Sequence, residues 1–175
     1  MIPLWRGDTL CAAMSGRPVG ALPEAVTGIS IDSRTLEPGD AFFAIKGEQF
    51  DGHDFATAAV KAGAGVLVVS EGRLPALGRI GAPMIVVPDV LAALEAAGIA
   101  ARSRTRARIV AVTGSVGKTT TKEALRLALS ACGEVHASDK SFNNHWGVPL
   151  TLARMPENCD YAVFEIGMNH PGEIR

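Results

Sequence analysis

The chain of 175 residues is poor in cysteine, nearly free of net charge and without a long apolar run. Its three cysteines, Cys11, Cys132 and Cys159, are odd in number and widely spaced, with no C-x-x-C pair. That pattern excludes a disulfide framework and a cysteine zinc site, and it reads as reduced thiols in the cytosol. Seventeen basic residues against eighteen acidic ones leave a formal charge of −1, so no whole-protein field attracts nucleic acid or an anionic membrane. No apolar stretch approaches the ~18 residues that span a bilayer. The start, Met1 to Arg6, lacks a basic segment followed by an apolar one, so no signal peptide is expected. Internal repeats and low-complexity tracts are missing as well. The expectation is a soluble, cytoplasmic protein with neither nucleic acid nor membrane insertion among its partners.

What is present is globular in kind. Hydrophobic residues make up 47% and charged ones 20%, which argues against disorder, and the length suits one ordinary domain or two small ones. Val26 to Asp32 alternates towards a strand, and Pro38-Gly39-Asp40 signals a turn before a second strand, Ala41 to Ile45. Asp54 is placed to cap a helix through about Ala62, ended by Gly63 and Gly65. Val66–Val69 and Met84–Val87 read as short apolar strands, and the Gly- and Pro-rich span Glu71 to Pro83 between them as surface loop. Asp89 is a plausible N-cap for an alanine- and leucine-rich helix to about Arg104. A strand Ile109–Thr113, a glycine turn, a helix Thr119–Ala131 and a strand Tyr161–Ile166 follow, the pattern of a covered parallel sheet. Two strands are too few for such a sheet, and the chain stops at Arg175 with no obvious terminating element. It is therefore read as part of a longer protein, with a domain boundary near residues 88 to 107.

The sharpest chemical signal is Ala111-Val-Thr-Gly114-Ser-Val-Gly117-Lys118-Thr119-Thr120. Glycines let backbone N–H groups converge on phosphate oxygens, and the helix that follows adds its dipole and its unpaired N–H groups. Lys118 is positioned to meet the β- and γ-phosphates, and the Thr119 hydroxyl to ligate Mg²⁺. A shuffled chain with 19 Gly and this Lys, Ser and Thr content yields G-K-[ST] roughly 0.06 times, and the required strand–turn–helix context lowers that further. The strict pattern asks for glycine where Val112 stands. An ordinary strand–helix turn with a surface lysine is the competing reading. Glu165 closes the last apolar strand, where ligands of open parallel sheets bind, and it is either a Mg²⁺ carboxylate or a strand-end acid paired with a nearby base.

With these residues in view, the chain resembles the Mur ligases, the ATP-dependent enzymes that assemble the peptide of peptidoglycan precursors. Thr113-Gly-Ser-Val-Gly-Lys-Thr-Thr120 looks like their variant phosphate loop, which also lacks the outer glycine. Ser30-Ile-Asp-Ser-Arg34, Pro38-Gly-Asp40, Lys46-Gly47 and Asp51-Gly-His-Asp-Phe55 resemble the N-terminal UDP-binding domain of the later-acting members. Phe142-Asn-Asn144 with Gly147-Val-Pro-Leu-Thr151, and Glu165-Ile-Gly-Met-Asn-His-Pro-Gly-Glu173, look most like the branch that joins D-alanyl-D-alanine to UDP-N-acetylmuramoyl tripeptide.

The resemblance implies an α/β chain. A small α/β UDP-binding domain over residues 1–87 precedes the front part of a P-loop parallel-sheet ATPase domain over 88–175, and a C-terminal domain is absent. By resemblance, Thr113, Gly114, Ser115, Val116, Gly117, Lys118, Thr119 and Thr120 hold ATP, and Thr119 and Glu165 hold Mg²⁺. Lys118, Glu165 and Asn144 are the implied catalytic residues, and Ile31, Ser33, Glu48, Gln49 and Phe50 the implied contacts to the UDP substrate. Each has an ordinary alternative. Ser33 can bond within its own turn, Phe50 can be core, and Asn143 and Asn144 suit turns and helix caps. Asp32 and Arg34 can pair locally, His53 reads as a loop hydrogen bond, and His170 as solvent-side loop. Arg102, Arg104, Arg106 and Arg108 read as a solvated helix end.

The implied reaction is amide formation through an acyl phosphate, driven by ATP, in a monomeric enzyme acting on UDP-N-acetylmuramoyl tripeptide and D-alanyl-D-alanine. The family's carbamylated lysine and magnesium-binding histidine are expected beyond residue 175, so these residues alone are expected to lack ligase activity. Two other readings stay open at this point. One is the sister ligase that adds the third residue, or the related folate polyglutamate ligase. The other is a P-loop module that binds nucleotide without ligating anything.

Overall fold

A computed structural model describes residues 3–138 and 145–167. The chain divides into two compact units, Met1–Ala97 and Gly98–Arg175. The first begins with helix α1 (Gly7–Ala13) and strands β1 (Arg17–Val19), β2 (Ile29–Ser30) and β3 (Ala41–Phe43). A 3-10 turn, Gly52–Phe55, leads into α2 (Ala56–Lys61), followed by β4 (Val66–Ser70). A second 3-10 turn, Glu71–Arg73, runs into α3 (Leu74–Leu77) and then β5 (Met84–Val87). The sheet order is β1-β5-β4-β3-β2, parallel throughout except for β1, which lies antiparallel on β5.

The sequence explains this arrangement. β3, β5 and Val66–Val69 of β4 are unbroken apolar runs because both faces of the sheet are covered. One face buries Phe42, Leu67, Val69, Met84 and Val86 against Ala56 and Ala59 of α2, with Leu36 and Leu77 closing the cluster. The span Glu71 to Pro83, expected as plain surface loop, instead holds α3, because Leu74 and Leu77 pack onto that cluster. The cap before α2 also differs from expectation. Asp51, not Asp54, accepts the His53 N–H and opens the 3-10 turn that precedes the helix. The strand expected over Val26 to Asp32 contracts to Ile29–Ser30, with Val26 in a lone bridge to Trp5.

Helix α4 (Val90–Arg104) crosses the division between the units, and the Asp89 carboxylate caps it by accepting the Ala92 N–H at 2.7 Å. The second unit continues with β6 (Arg108–Val112), α5 (Lys118–Ser130), β7 (Val135–Ala137), α6 (Gly147–Ala153) and β8 (Tyr161–Glu165). Its sheet has three parallel strands among the described residues, in the order β6-β8-β7, one more than the sequence indicated. Ala107, Met155, Cys159, Ala162 and Phe164 form its buried cluster. The arginine run is not wholly solvated. Arg104 is partly buried and donates to the Met155 carbonyl at 3.2 Å, whereas Arg102, Arg106 and Arg108 are exposed. Among the described residues no helix is long and apolar enough to cross a membrane.

Candidate functional site

In the second unit, three parallel strands deliver their carboxyl ends to one edge of the sheet. β6 ends at Val112, β7 at Ala137 and β8 at Glu165, with Val112 and Glu165 in register. That edge is where open α/β sheets bind ligands. The loop Thr113–Gly117 leaves β6 there and turns into α5 through Gly114 at φ +148° and Gly117 at φ +80°. Residues with a Cβ avoid such backbone angles, so the two glycines are what let the loop curl and present its N–H groups. No side chain caps the N-terminus of α5. A Cβ added at Gly117 would meet nothing within 4 Å among the described residues, so the space beside it is open. Ser115 and Val116 sit exposed in the loop, Val116 at 90%. Thr120 is exposed in the first turn of α5.

Lys118 opens α5 and folds back so that its Nζ donates to the Gly114 carbonyl at 2.8 Å. The lysine therefore lies over the loop whose N–H groups it would complement. Thr119, one residue on, donates its hydroxyl to Glu165 Oε2 at 2.9 Å. Glu165 is 2% exposed, and its backbone N–H donates to the Ser138 hydroxyl at 3.2 Å. A carboxylate so deeply buried beside a threonine hydroxyl is a pair of hard oxygen donors. Thr119 and Glu165 are hard oxygen donors of the kind Mg²⁺ takes, and their 2.9 Å contact is a hydrogen bond that a bound ion would replace, with substrate phosphates and waters completing the shell. Among the described residues no cluster of three or more His, Cys, Asp and Glu exists.

The first unit places its candidates in the same topological position. Ile31 and Ser33 follow β2, and Glu48, Gln49 and Phe50 follow β3, its parallel neighbour, so the sheet brings both loops to the carboxyl ends of adjacent strands. Ile31 and Ser33 are half-buried, while Glu48 and Gln49 are exposed. Phe50 is 70% exposed and meets the Phe55 ring edge-on at 6.5 Å, so it is no core residue. Asp32 pairs with Arg34 at 2.7 Å, and the Arg34 hydrogen bonds hold its carboxyl below the usual range.

The loop carrying Glu48 to Phe50 is pinned at its end. Lys46 and Asp51 bridge across it, and Gly47 donates to the Phe50 carbonyl. Asp51 takes the His53 backbone N–H at 3.0 Å and the His53 ring Nδ1 at 2.6 Å, and its other oxygen pairs with Arg73. The His53 Nε2 in turn accepts the Ser70 N–H at 2.9 Å, which ties the loop to the end of β4. Burial alone would raise the Asp51 carboxyl, but the His53 and Arg73 hydrogen bonds outweigh it and hold the group at about 2. His53 is thus a structural loop residue, as its sequence context indicates.

Sequence reasoning passed over two residues of the phosphate edge. Lys122 is 1% exposed and donates to the Ser138 carbonyl at 2.7 Å, and Ser138 is 4% exposed. Lys122 stands four residues after Lys118, a spacing that could have drawn attention to it, whereas nothing in the sequence marks Ser138. Asn143, Asn144 and His170 lie outside the described residues.

Comparison with known proteins bears on both units. Residues 25–123 match the family model described as "Mur ligase family, catalytic domain", and residues 112–175 match "Mur ligase middle domain". The chain is 44% identical over 146 residues to UDP-N-acetylmuramoyl-tripeptide–D-alanyl-D-alanine ligase of Escherichia coli, covering 83% of this chain and 31% of that protein. It is 39% identical over 172 residues to the ligase of the same name from Rickettsia prowazekii, covering 98% and 37%. A crystal structure of MurF from Acinetobacter baumannii superposes with a TM-score of 0.80 at 36% identity, covering 98% of this chain and 38% of that one. MurF ligase from Thermotoga maritima, solved in complex with ADP, superposes with a TM-score of 0.62 at 29% identity over 83% of this chain and 33% of that one. The chain therefore spans about a third of the length of the relatives it matches. More than half of it falls within one family model, and the chain belongs to the Mur ligase family.

Proposed function

We propose that this chain supplies the UDP-precursor and ATP sites of a cytoplasmic ligase that adds D-alanyl-D-alanine to UDP-N-acetylmuramoyl tripeptide. The observation that carries the reading is the Thr119–Glu165 pair at the end of a glycine phosphate loop, 2.9 Å apart. The relatives' names give the chemistry its direction, and the relative solved with ADP supports a nucleotide at this edge. In this reading residues 1–87 serve the UDP substrate and residues 88–175 begin the ATPase domain.

The division of labour follows from the residues. A carboxylate is a poor electrophile, so the tripeptide carboxylate oxygen attacks the γ-phosphorus, ADP leaves, and an acyl phosphate results. The dipeptide amine then attacks the acyl carbon, the amide bond forms and inorganic phosphate departs. The loop N–H groups from Thr113 to Thr120 hold the β- and γ-phosphates. Lys118 exchanges the Gly114 carbonyl for phosphate oxygen and offsets the charge that develops there. Thr119 and Glu165 would hold Mg²⁺, which would neutralise phosphate charge there. Asn144 is assigned to the acyl centre on the family pattern alone. Phe50, which is exposed, is assigned to cover the uracil face, and half-buried Ser33 to read its edge.

Calorimetric competition tests the reading. UDP in excess should displace UDP-N-acetylmuramoyl tripeptide from the chain and leave Mg-ATP binding intact. A chain that binds Mg-ATP but not the UDP compound would behave as a simple nucleotide-binding module and overturn the proposal.

A further inference from the structure

Helix α5 contains one buried side chain among its described residues, and that side chain is a lysine. An apolar residue would satisfy packing there. A buried amine is tolerated only when its donors find partners. Lys122 Nζ donates to the Ser138 carbonyl at 2.7 Å and lies 2.9 Å from the Glu123 carboxylate. Ser138 follows β7 directly, and its own N–H reaches the Val163 carbonyl of β8 at 3.3 Å. Its hydroxyl accepts the backbone N–H of Glu165 at 3.2 Å. Glu165 Oε2 then takes the Thr119 hydroxyl at 2.9 Å, and Thr119 stands three residues before Lys122 on the same helix. Four residues thus close a ring of hydrogen bonds that leaves α5, crosses the ends of β7 and β8, and returns to α5.

We infer that Lys122 is a positioning residue that, through Ser138, sets the Glu165 carboxylate opposite Thr119 and so preorganises the divalent-cation site. The inference rests on the Mg-nucleotide reading above and adds residues that reading does not use. Lys122 Nζ bonds to the Ser138 carbonyl and pairs with Glu123, so the contribution inferred for it is to the place of Glu165. Groups that orient metal ligands from behind typically change metal affinity by about 10- to 100-fold when removed.

The test is calorimetric titration of the chain with ATP, once with Mg²⁺ and once with EDTA. The readout is the ratio of the two affinities. Lys122→Met keeps the length of the side chain and removes the donor, while Ser138→Ala keeps the carbonyl and removes only the acceptor for Glu165. Both variants should lose about 10- to 100-fold of the Mg²⁺-dependent gain and keep wild-type affinity in EDTA, because the phosphate-loop N–H groups are untouched. A merely structural lysine would lower both affinities by the same factor, and that result overturns the inference. So does a Mg²⁺-dependent gain that survives in Ser138→Ala, which also decides the matter if far-UV circular dichroism shows that Lys122→Met does not fold. If wild type shows no Mg²⁺-dependent gain, the cation reading itself fails and this inference falls with it. A gain present in wild type and intact in the variants overturns the inference alone.

Discussion

Replacing Asp51 with asparagine should destabilise the first unit by an amount that shrinks as the solution is acidified. The substitution keeps the shape and the acceptor for the His53 N–H but removes the charge that His53 and Arg73 share. In the folded chain the Asp51 carboxyl sits at about 2 instead of the usual 3.8. At roughly 1.4 kcal/mol per pH unit, that gap amounts to about 2 kcal/mol of stability. The folded value is depressed, so this contribution is fully present above the unfolded value and is lost as pH falls through the folded one. Nearly all of it remains at pH 5 and about half at pH 3. Urea unfolding can follow the buried Trp5 in a Trp146→Phe background, which silences the tryptophan of the second unit. The penalty of Asp51→Asn, measured as wild type minus variant, should fall by about 1 kcal/mol between pH 5 and pH 3. An equal penalty at both pH values would show that the carboxylate's charge adds nothing to the fold and would refute the reasoning.

Three further outcomes follow from the same geometry. Among the described residues Lys118 bonds only to a loop carbonyl, so Lys118→Met should change urea stability by less than about 0.5 kcal/mol. Its ATP affinity, read by calorimetry, should fall by about 10- to 100-fold with the loss of a charge-assisted bond. Gly117→Ala meets no neighbour but must hold φ +80°, so the second unit should lose about 1–2 kcal/mol in denaturant titration through backbone strain alone. Phe50→Ala forfeits an exposed ring, so its unfolding midpoint should move little, while affinity for UDP-N-acetylmuramoyl tripeptide should drop by about tenfold as base stacking is lost.

The parts of the fold that sequence reveals are those with a single dominant cause. β4 and β5 show as apolar runs because they are buried on both faces, and α4 shows through its Asp89 cap and alanine content. The Thr113–Gly117 loop shows because its glycines take positive φ angles that residues with a Cβ avoid. β1 is hidden because it carries Pro18, which a parallel central strand would reject but an antiparallel edge admits. α3 is hidden because four residues among glycines and prolines carry no periodicity, and only Leu74 and Leu77 reaching the core call for a helix there. β7 is three half-buried residues whose strand character comes from pairing with β8. Within the candidate site, Lys118, Thr119 and Glu165 were legible from spacing and strand ends. Lys122 and Ser138 were not, because burial of a lysine and the acceptor role of a serine hydroxyl are set by tertiary contacts.

The proposed function calls for two separate ligand sites at two sheet edges, one in each unit. Amide chemical-shift mapping of the 175-residue chain tests it most directly. Mg-ATP should perturb residues 113–120, 138 and 165, whereas UDP alone, which lacks the reacting tripeptide carboxylate, should perturb residues 31–33 and 47–51. Perturbation of one common set of residues by both ligands, or of residues 31–51 by Mg-ATP, would contradict the account.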